Sequence, residues 1–240
     1  MTTNPSAFRV LINRTTSEAP TCAVDMGLGL IVPAEAARSG VKRVMDRVGA
    51  LLALALVLPV LAGVALLVWL DSKGPILFRQ TRVGHRGRTF TCLKFRTMVP
   101  DAEERLAALE DQNESACKVL FKIKDDPRVT PLGRMLRRTS LDELPQFWNV
   151  LVGDMSLIGP RPLQLRDSEK LEASEPEGYA RRLSVLPGLS GPWQVAGRSE
   201  LDSGRMLDLD LEYVENWSIQ TDIDLLIKTV SVVLSGRGAS

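Results

Sequence analysis

The sequence predicts an α+β protein: a small, mainly helical body with short strands, one apolar membrane helix and amphipathic helices at the interface. Three observations carry this expectation. The stretch from Val48 to Leu70, VGALLALALVLPVLAGVALLVWL, holds no formal charge. Short runs bounded by Gly and Pro, at Ile76-Leu77-Phe78 and Thr89–Phe95, read as strands, the second with the alternation of a half-buried one. Further on, apolar residues recur at helical spacing, first at Leu144, Trp148 and Leu151, then at Ile223, Leu226, Ile227, Val230, Val233 and Leu234.

The chain has 240 residues, 45% hydrophobic and 25% charged, which suits one ordinary domain with an appendage. Residues 1–38 lack sustained periodicity and scatter Asn, Thr, Ser, Pro and Gly, so they read as an N-terminal extension, partly disordered or with a short strand near 8–12. Residues 39–72 form the membrane segment, and residues 73–240 form the body.

A straight helix over the apolar run reaches about 34 Å at about 1.5 Å per residue, enough for a bilayer core of about 30 Å. The run lies behind a polar stretch and does not read as a cleaved signal. Pro59 falls near its middle, where a missing N–H and a ring clash bend a helix. Arg38, Lys42, Arg43 and Arg47 precede it, and Lys73, Arg79 and Arg82 follow it. Basic flanks prefer the cytoplasm, so both ends are drawn to one face. A helix that bends at Leu58-Pro59 and returns satisfies both observations. A spanning helix is the alternative, and a buried core helix is a distant third.

In the body, Gly74-Pro75 turns the chain into the first strand, and Gly84 and Gly87 bracket a basic turn before the second. Asp101 as N-cap with Glu104 three residues on predicts a helix through Leu106 and Leu109. Pro131-Leu132-Gly133 precedes a helix over 134–138, and Leu141–Val152 reads as one helix. Gly159-Pro160-Arg161-Pro162 must be a stiff loop. Residues 187–197 form a second turn-rich stretch, followed by helices over 207–217 and 219–234. The last helix suits either the membrane interface or a core.

Several chemistries are excluded or disfavoured. Cys22, Cys92 and Cys117 show neither zinc spacing nor a disulfide framework. His85 is the only histidine, so a two-histidine metal site within the chain is ruled out and a Ser-His-Asp triad could run only through that residue, which reads better as a polar loop histidine; carboxylates are then left to carry acid–base or nucleophilic work. Neither G-x-G-x-x-G nor a P-loop is present. A net charge of +1 gives no general pull on acidic partners, and no nucleic-acid partner is expected. The basic block around the apolar run instead suits anionic lipid head groups or phosphorylated substrates.

The densest chemical stretch runs from Arg137 to Pro162. Asp142 and Glu143 are adjacent acids that could serve one divalent cation and one phosphate, since Mg²⁺ takes one or two carboxylates and keeps waters. A carboxylate can also attack phosphorus and divide a hard transfer into two easier ones. The alternative is that the pair merely opens a helix, where acids oppose the dipole. Arg161, between two prolines, suits bidentate phosphate binding, with Lys94, Arg137 and Arg198 as further cationic candidates.

At these residues the chain resembles the bacterial sugar transferase family, the monotopic polyprenyl-phosphate phosphoglycosyl transferases of the exopolysaccharide-initiating type. The resemblance covers about Lys42 to Gly238. Its blocks are KRVMDR, GPILFRQTRVG, KFRTM, DDPRVTPLGRMLRRTSLDELPQFWNVLVGDMSLIGPRP, PGLSGPWQVAGR and DLEYVENWS. It implies an enzyme that takes a UDP-sugar and polyprenyl (undecaprenyl) phosphate and releases UMP in the first membrane step of a surface glycan. Asp142 would be the nucleophile of a covalent phosphosugar intermediate, with Mg²⁺ beside it. Glu143 would assist in Mg²⁺ binding or proton handling. Lys94, Arg137, Arg161, Arg198 and Asp210 would contact substrate or phosphate. The resemblance also implies a re-entrant helix broken at Leu58-Pro59 and a catalytic domain on the cytoplasmic face of the bacterial inner membrane among its lipids, and it allows a homodimer. Ser190 stands where Thr is frequent in the family, and Pro192 replaces an apolar residue; both bear on sugar fit.

Two rivals follow. A non-catalytic subunit that binds the lipid carrier would have no need of a nucleophile. A glycosyltransferase releasing UDP would need a nucleotide-binding α/β domain, for which the sequence carries no motif.

Overall fold

The computed structural model describes residues 40–106, 108–109, 113–115, 119–121, 123, 125–197 and 202–235. The N-terminal extension, with its expected strand near 8–12, lies outside them, as does Arg198.

Helix α1 spans Gly40–Asp71 and runs through Pro59 without interruption. Its sequence is apolar over far more than one face, and Leu52, Leu56, Leu58, Trp69 and Leu70 are each more than half exposed. Contiguous exposed apolar surface of this kind marks a protein or membrane contact face, and α1 is long and apolar enough to cross a membrane. The inward face is a single stripe, with Lys42, Asp46, Ala50, Val64 and Val68 buried on the body.

Both ends of α1 are tied to the same body. Near the start, Lys42 Nζ reaches Asp222 at 2.5 Å, and the Leu157 N–H donates to Asp46 at 3.1 Å. At the far end, Arg96 donates to the carbonyls of Ser72 (2.5 Å) and Val68 (3.4 Å), and also to that of Pro75. A guanidinium on the last carbonyls satisfies groups that the helix leaves orphaned and opposes the negative end of its dipole.

Strands β1 (Leu77–Val83) and β2 (Thr89–Phe95) form an antiparallel hairpin in the register Leu77↔Phe95 to Val83↔Thr89. Its turn needs positive φ at Arg86 and Gly87. The first strand is longer than the pattern at 76–78 predicts. Residues 101–106 form successive turns, and no α-helix appears among the described residues of that stretch. The Asp101 side chain, read as an N-cap, instead accepts from Arg105 Nε.

Helix α2 (Pro131–Arg138) starts as capping rules require: the Thr130 hydroxyl accepts from the Gly133 N–H and Pro131 takes the first turn. Gly133 must be glycine, because a Cβ there would stand 2.0 Å from the Thr97 carbonyl oxygen. The predicted helix over 141–152 is divided. Ser140 adopts the left-handed conformation at φ 56°, Leu141–Glu143 form one 3-10 turn, and Pro145 precedes α3 (Gln146–Val152). The break follows from the left-handed residue and from a proline that offers no N–H.

Two further helices, α4 (Leu165–Ser174) and α5 (Pro176–Arg182), connect β3 (Ser156–Ile158) to β4 (Gly188–Ser190), which pair in parallel. None of these four elements is evident in the sequence pattern. Gly159 and Gly188 allow the two segments to touch: a Cβ on Gly188 would meet the Gly159 nitrogen at 2.1 Å. Helices α6 (Pro192–Ala196), α7 (Ser203–Glu215) and α8 (Ile219–Ser235) complete the described chain. The last agrees with the expected 219–234, whereas α7 begins at Ser203 and ends at Glu215 in place of the expected 207–217, because the Asp202 side chain caps it by accepting from the Arg205 N–H.

The core divides into clusters that join these elements. Ala50 of α1 packs with Cys92, Val150 and Met155, while Val64 and Val68 pack with Phe95 and Leu136. Helix α1 is therefore part of the hydrophobic core and not an appendage. Asn149 reinforces this by accepting from Leu93 N–H (3.0 Å) and donating to the Thr91 carbonyl (2.8 Å), so α3 extends the hydrogen bonding of β2.

Candidate active site

Four segments converge on one open cleft of about 1140 Å³. Strand β2 contributes Lys94, α2 contributes Arg137, the 3-10 turn contributes Asp142 and Glu143, and the loop after β3 contributes Arg161. Arg128, Arg134, Arg138 and Arg166 lie along its walls, so the cleft is strongly cationic around a small acidic centre.

The two adjacent acids have divided environments. Glu143 accepts from Lys94 Nζ at 2.7 Å and forms a bidentate pair with Arg161. Burial alone would lift its carboxyl, but Arg161 and Lys94 outweigh that and hold it well below the usual carboxylate range. Asp142 lines the cleft at 7% exposure, and no hydrogen bond reaches its carboxylate among the described residues. Burial pushes its carboxyl up and Glu143 adds to this, against the opposing pull of Lys94, Arg137 and Arg161. The split follows from local structure: on a 3-10 turn, consecutive side chains point about 120° apart. One acid turns into the cation pair while the other stays open.

Arg137 donates to the Thr97 hydroxyl at 3.0 Å, which orients it along the cleft. Arg161 is held from behind. Its carbonyl accepts from Arg182 Nη2, and the next carbonyl, of Pro162, accepts from Arg82 Nη1 at 2.6 Å. With prolines at 160 and 162, the loop has little freedom.

Asp210 does not line the cleft. It is fully enclosed, pairs with Arg182 Nε at 2.7 Å, and reaches the site only through Arg182 and the Arg161 carbonyl. Burial pushes its carboxyl up to about 6 despite that arginine. The structure thus brings together Lys94, Arg137, Asp142, Glu143 and Arg161, and sets Asp210 behind them. Arg82 and Arg182 are the supporting residues that sequence reasoning missed; each sits in an unremarkable basic context, and no spacing marks either one.

His85 lies in the hairpin turn, with Nε2 3.1 Å from the Ser184 carbonyl, and does not line the cleft. No group of three or more His, Cys, Asp or Glu suited to a metal occurs among the described residues.

A helical body bearing a long exposed apolar helix, with a cationic cleft around two carboxylates, is the architecture of a membrane-associated protein. The chain belongs to the bacterial sugar transferase family, whose model matches residues 37–236. It is 42% identical to the galactosyl transferase CpsE of Streptococcus agalactiae over 199 residues, 82% of this chain and 43% of that one. It is 40% identical to the exopolysaccharide production protein ExoY of Sinorhizobium fredii over 201 residues, 82% of this chain and 87% of that one. Similarity extends to the UDP-glucose:undecaprenyl-phosphate glucose-1-phosphate transferase of Escherichia coli, 43% identical over 79% of this chain and 39% of that one. The chain thus spans less than half the length of the first and third of these relatives and most of the second.

Proposed function

We propose that this protein transfers a sugar-1-phosphate from a UDP-sugar to polyprenyl (undecaprenyl) phosphate and releases UMP, through a covalent phosphosugar–Asp142 intermediate. The observation that carries the reading is the division of labour between the two acids: Glu143 is paired with Lys94 and Arg161, and Asp142 lines the cleft with no hydrogen bond to its carboxylate among the described residues. The names of the relatives support the acceptor and the class of reaction.

The chemistry follows from these positions. The Asp142 carboxylate attacks the phosphorus that carries the sugar, and the bond from that phosphorus to the bridging oxygen breaks. UMP departs with the electron pair of that bond. Lys94, Arg137 and Arg161 hold the negative charge that grows on the departing phosphate. An oxygen of polyprenyl phosphate then attacks the same phosphorus, breaks the acyl-phosphate bond and restores Asp142 as a carboxylate. The product is polyprenyl-diphospho-sugar.

Mg²⁺ fits this donor set. Asp142 is the carboxylate open to a cation, Glu143 lies beside it, and Mg²⁺ accepts one or two carboxylates with phosphate and water filling the rest. Once bound, it would neutralise charge on the donor diphosphate.

Both ends of α1 belong on one face of the membrane in this reading, with the body on the cytoplasmic face of the bacterial inner membrane. The ties of Lys42, Asp46, Val68 and Ser72 to one charged body support it, because a straight spanning helix would carry one end away. A bend centred on Leu58-Pro59, which lies on the exposed side, is compatible with those ties.

The test is a panel of UDP-sugars with polyprenyl phosphate and Mg²⁺, read by the nucleotide released. UMP is expected. UDP, or no nucleotide from any donor, sinks the proposal. A cysteine placed in the N-terminal extension should be shielded from impermeant reagents outside the cell, and labelling there would overturn the topology.

A further inference from the structure

Among the described residues, two that are not glycine have positive φ: Arg86 in the hairpin turn, and Ser140 at φ 56° and ψ 16°. Left-handed backbone is strained for any residue with a Cβ, and glycine or asparagine is its usual occupant. At Ser140 the backbone has a clear purpose. Its N–H donates to the Arg137 carbonyl at 3.1 Å and closes α2, while its carbonyl accepts from the Glu143 N–H at 3.3 Å and opens the 3-10 turn. A right-handed residue there would let α2 run on toward Val152, and the two acids would lose the turn that separates them. Glycine would serve this purpose without strain, so the backbone gives no reason for serine.

The side chain does not offset the strain within the protein. The Ser140 hydroxyl makes no capping hydrogen bond and has no partner among the described residues. Its oxygen is not enclosed, and Ser140 is a half-buried residue lining the cleft between Arg137 and Asp142 in the chain. Strain kept beside a reacting group, with no local interaction to offset it, points to a functional side chain.

We propose that Ser140 is a substrate-contacting residue, whose hydroxyl donates to an oxygen of the phosphoryl group that Asp142 attacks. This rests on the proposed function and deepens it. A hydroxyl suits the position better than a further cation. Lys94, Arg137 and Arg161 already supply positive charge around the acids, and more of it beside Asp142 would hold the carboxylate back from attack. A neutral donor holds the phosphoryl oxygen without engaging the nucleophile, and the serine keeps its proton throughout. The hydrogen bond strengthens as negative charge grows on that oxygen during transfer.

Ser140→Ala and Ser140→Gly separate the hydroxyl from the backbone: both remove the oxygen, and only glycine relieves the strain. The full chain in nanodiscs is assayed for UMP release from a UDP-sugar with polyprenyl phosphate and Mg²⁺, beside melting curves and titrations with inorganic pyrophosphate. Both variants are expected to lose about ten- to a hundredfold in kcat/KM, the scale of one hydrogen bond to a charged group. Ser140→Gly should at the same time melt about 2–4 °C above wild type, the shift that relief of left-handed strain gives a chain of this size. Wild-type turnover in Ser140→Gly would show that position 140 serves the backbone alone and would overturn the proposal, whatever Ser140→Ala does. Melting of Ser140→Gly below wild type would remove the strain on which the proposal stands. Pyrophosphate binding needs no turnover and should weaken about tenfold in both variants. If wild type releases no UMP from any donor, the proposed function falls, and this titration alone decides the hydroxyl: unchanged pyrophosphate affinity overturns its role.

Discussion

Replacing Glu143 by Gln removes the one negative charge that Lys94 and Arg161 share, and its consequences run in opposite directions for stability and ligand affinity. The three side chains are 15–22% exposed, between a surface pair and a fully buried one. Surface pairs contribute at most about 1 kcal/mol, and breaking a buried pair costs about 3–5 kcal/mol, so a loss of about 2 kcal/mol is expected. For a body of this size, that lowers the melting temperature by about 4–8 °C. The carboxyl is held well below its ordinary range, so its contribution is complete above the unfolded value and is lost only as pH falls through the depressed one. The stability difference between variant and wild type should therefore persist at neutral pH and shrink only in strong acid. Affinity should move the other way. One unit charge at about 6 Å, with an effective dielectric of about 40, contributes about 1.4 kcal/mol, so UMP should bind about tenfold tighter without Mg²⁺. Arg161 keeps its place because its main chain is held by Arg182, Arg82 and two prolines. Melting curves and UMP titrations on the same preparation test both halves. A variant that melts with wild type, or binds UMP more weakly, refutes the assignment of Glu143 as the shared counter-ion.

Three further outcomes follow from the same geometry. Burial raises the Asp142 carboxyl while attack requires the carboxylate, so kcat/KM should fall on the acid side at a pH above the ordinary aspartate range, and this limb should move to lower pH in Glu143→Gln. Lys42→Met strands Asp222 in a buried site and should cost about 3–5 kcal/mol; adding Asp222→Asn should recover part of it, a coupling that a double-mutant cycle of melting measurements reads out. Arg182→Met releases the Arg161 carbonyl and leaves Asp210 unpaired, so UMP affinity should fall about tenfold even though Arg182 itself does not line the cleft; unchanged affinity would show that the loop needs no such support.

Features that depend on local pattern were legible in the sequence. The apolar run, the strand at 89–95 and the helix at 219–235 all have periodicity or end signals that act over a few residues, whereas the helices expected at 134–138 and 207–217 begin earlier, at Pro131 and Ser203. The carboxylate pair and Arg161 stood out as residue types in a rigid context. Features that arise from tertiary contact were not legible. The parallel pairing of Ser156–Ile158 with Gly188–Ser190 is too short to show a period, and its glycines have meaning only once the two backbones touch. The division of 141–152 depends on a left-handed Ser140, which no propensity requires. The expected helix at 101–109 had the right capping residues, yet in the described residues Asp101 is engaged by Arg105 and the backbone forms turns. Most informative is Asp210: its place in a family block pointed to substrate, while burial and the Arg182 pair make it a support for Arg161. Sequence identifies that such a residue matters but not whether it touches the ligand.

The most direct test of the central claim is intact-protein mass spectrometry after mixing the purified chain with a UDP-sugar and Mg²⁺ in the absence of polyprenyl phosphate. The expected result is a mass gain of one sugar phosphate, mapped by peptide analysis to Asp142, discharged on adding polyprenyl phosphate and absent in Asp142→Asn. Turnover at the normal rate in Asp142→Asn, or an adduct on any other residue, would contradict it.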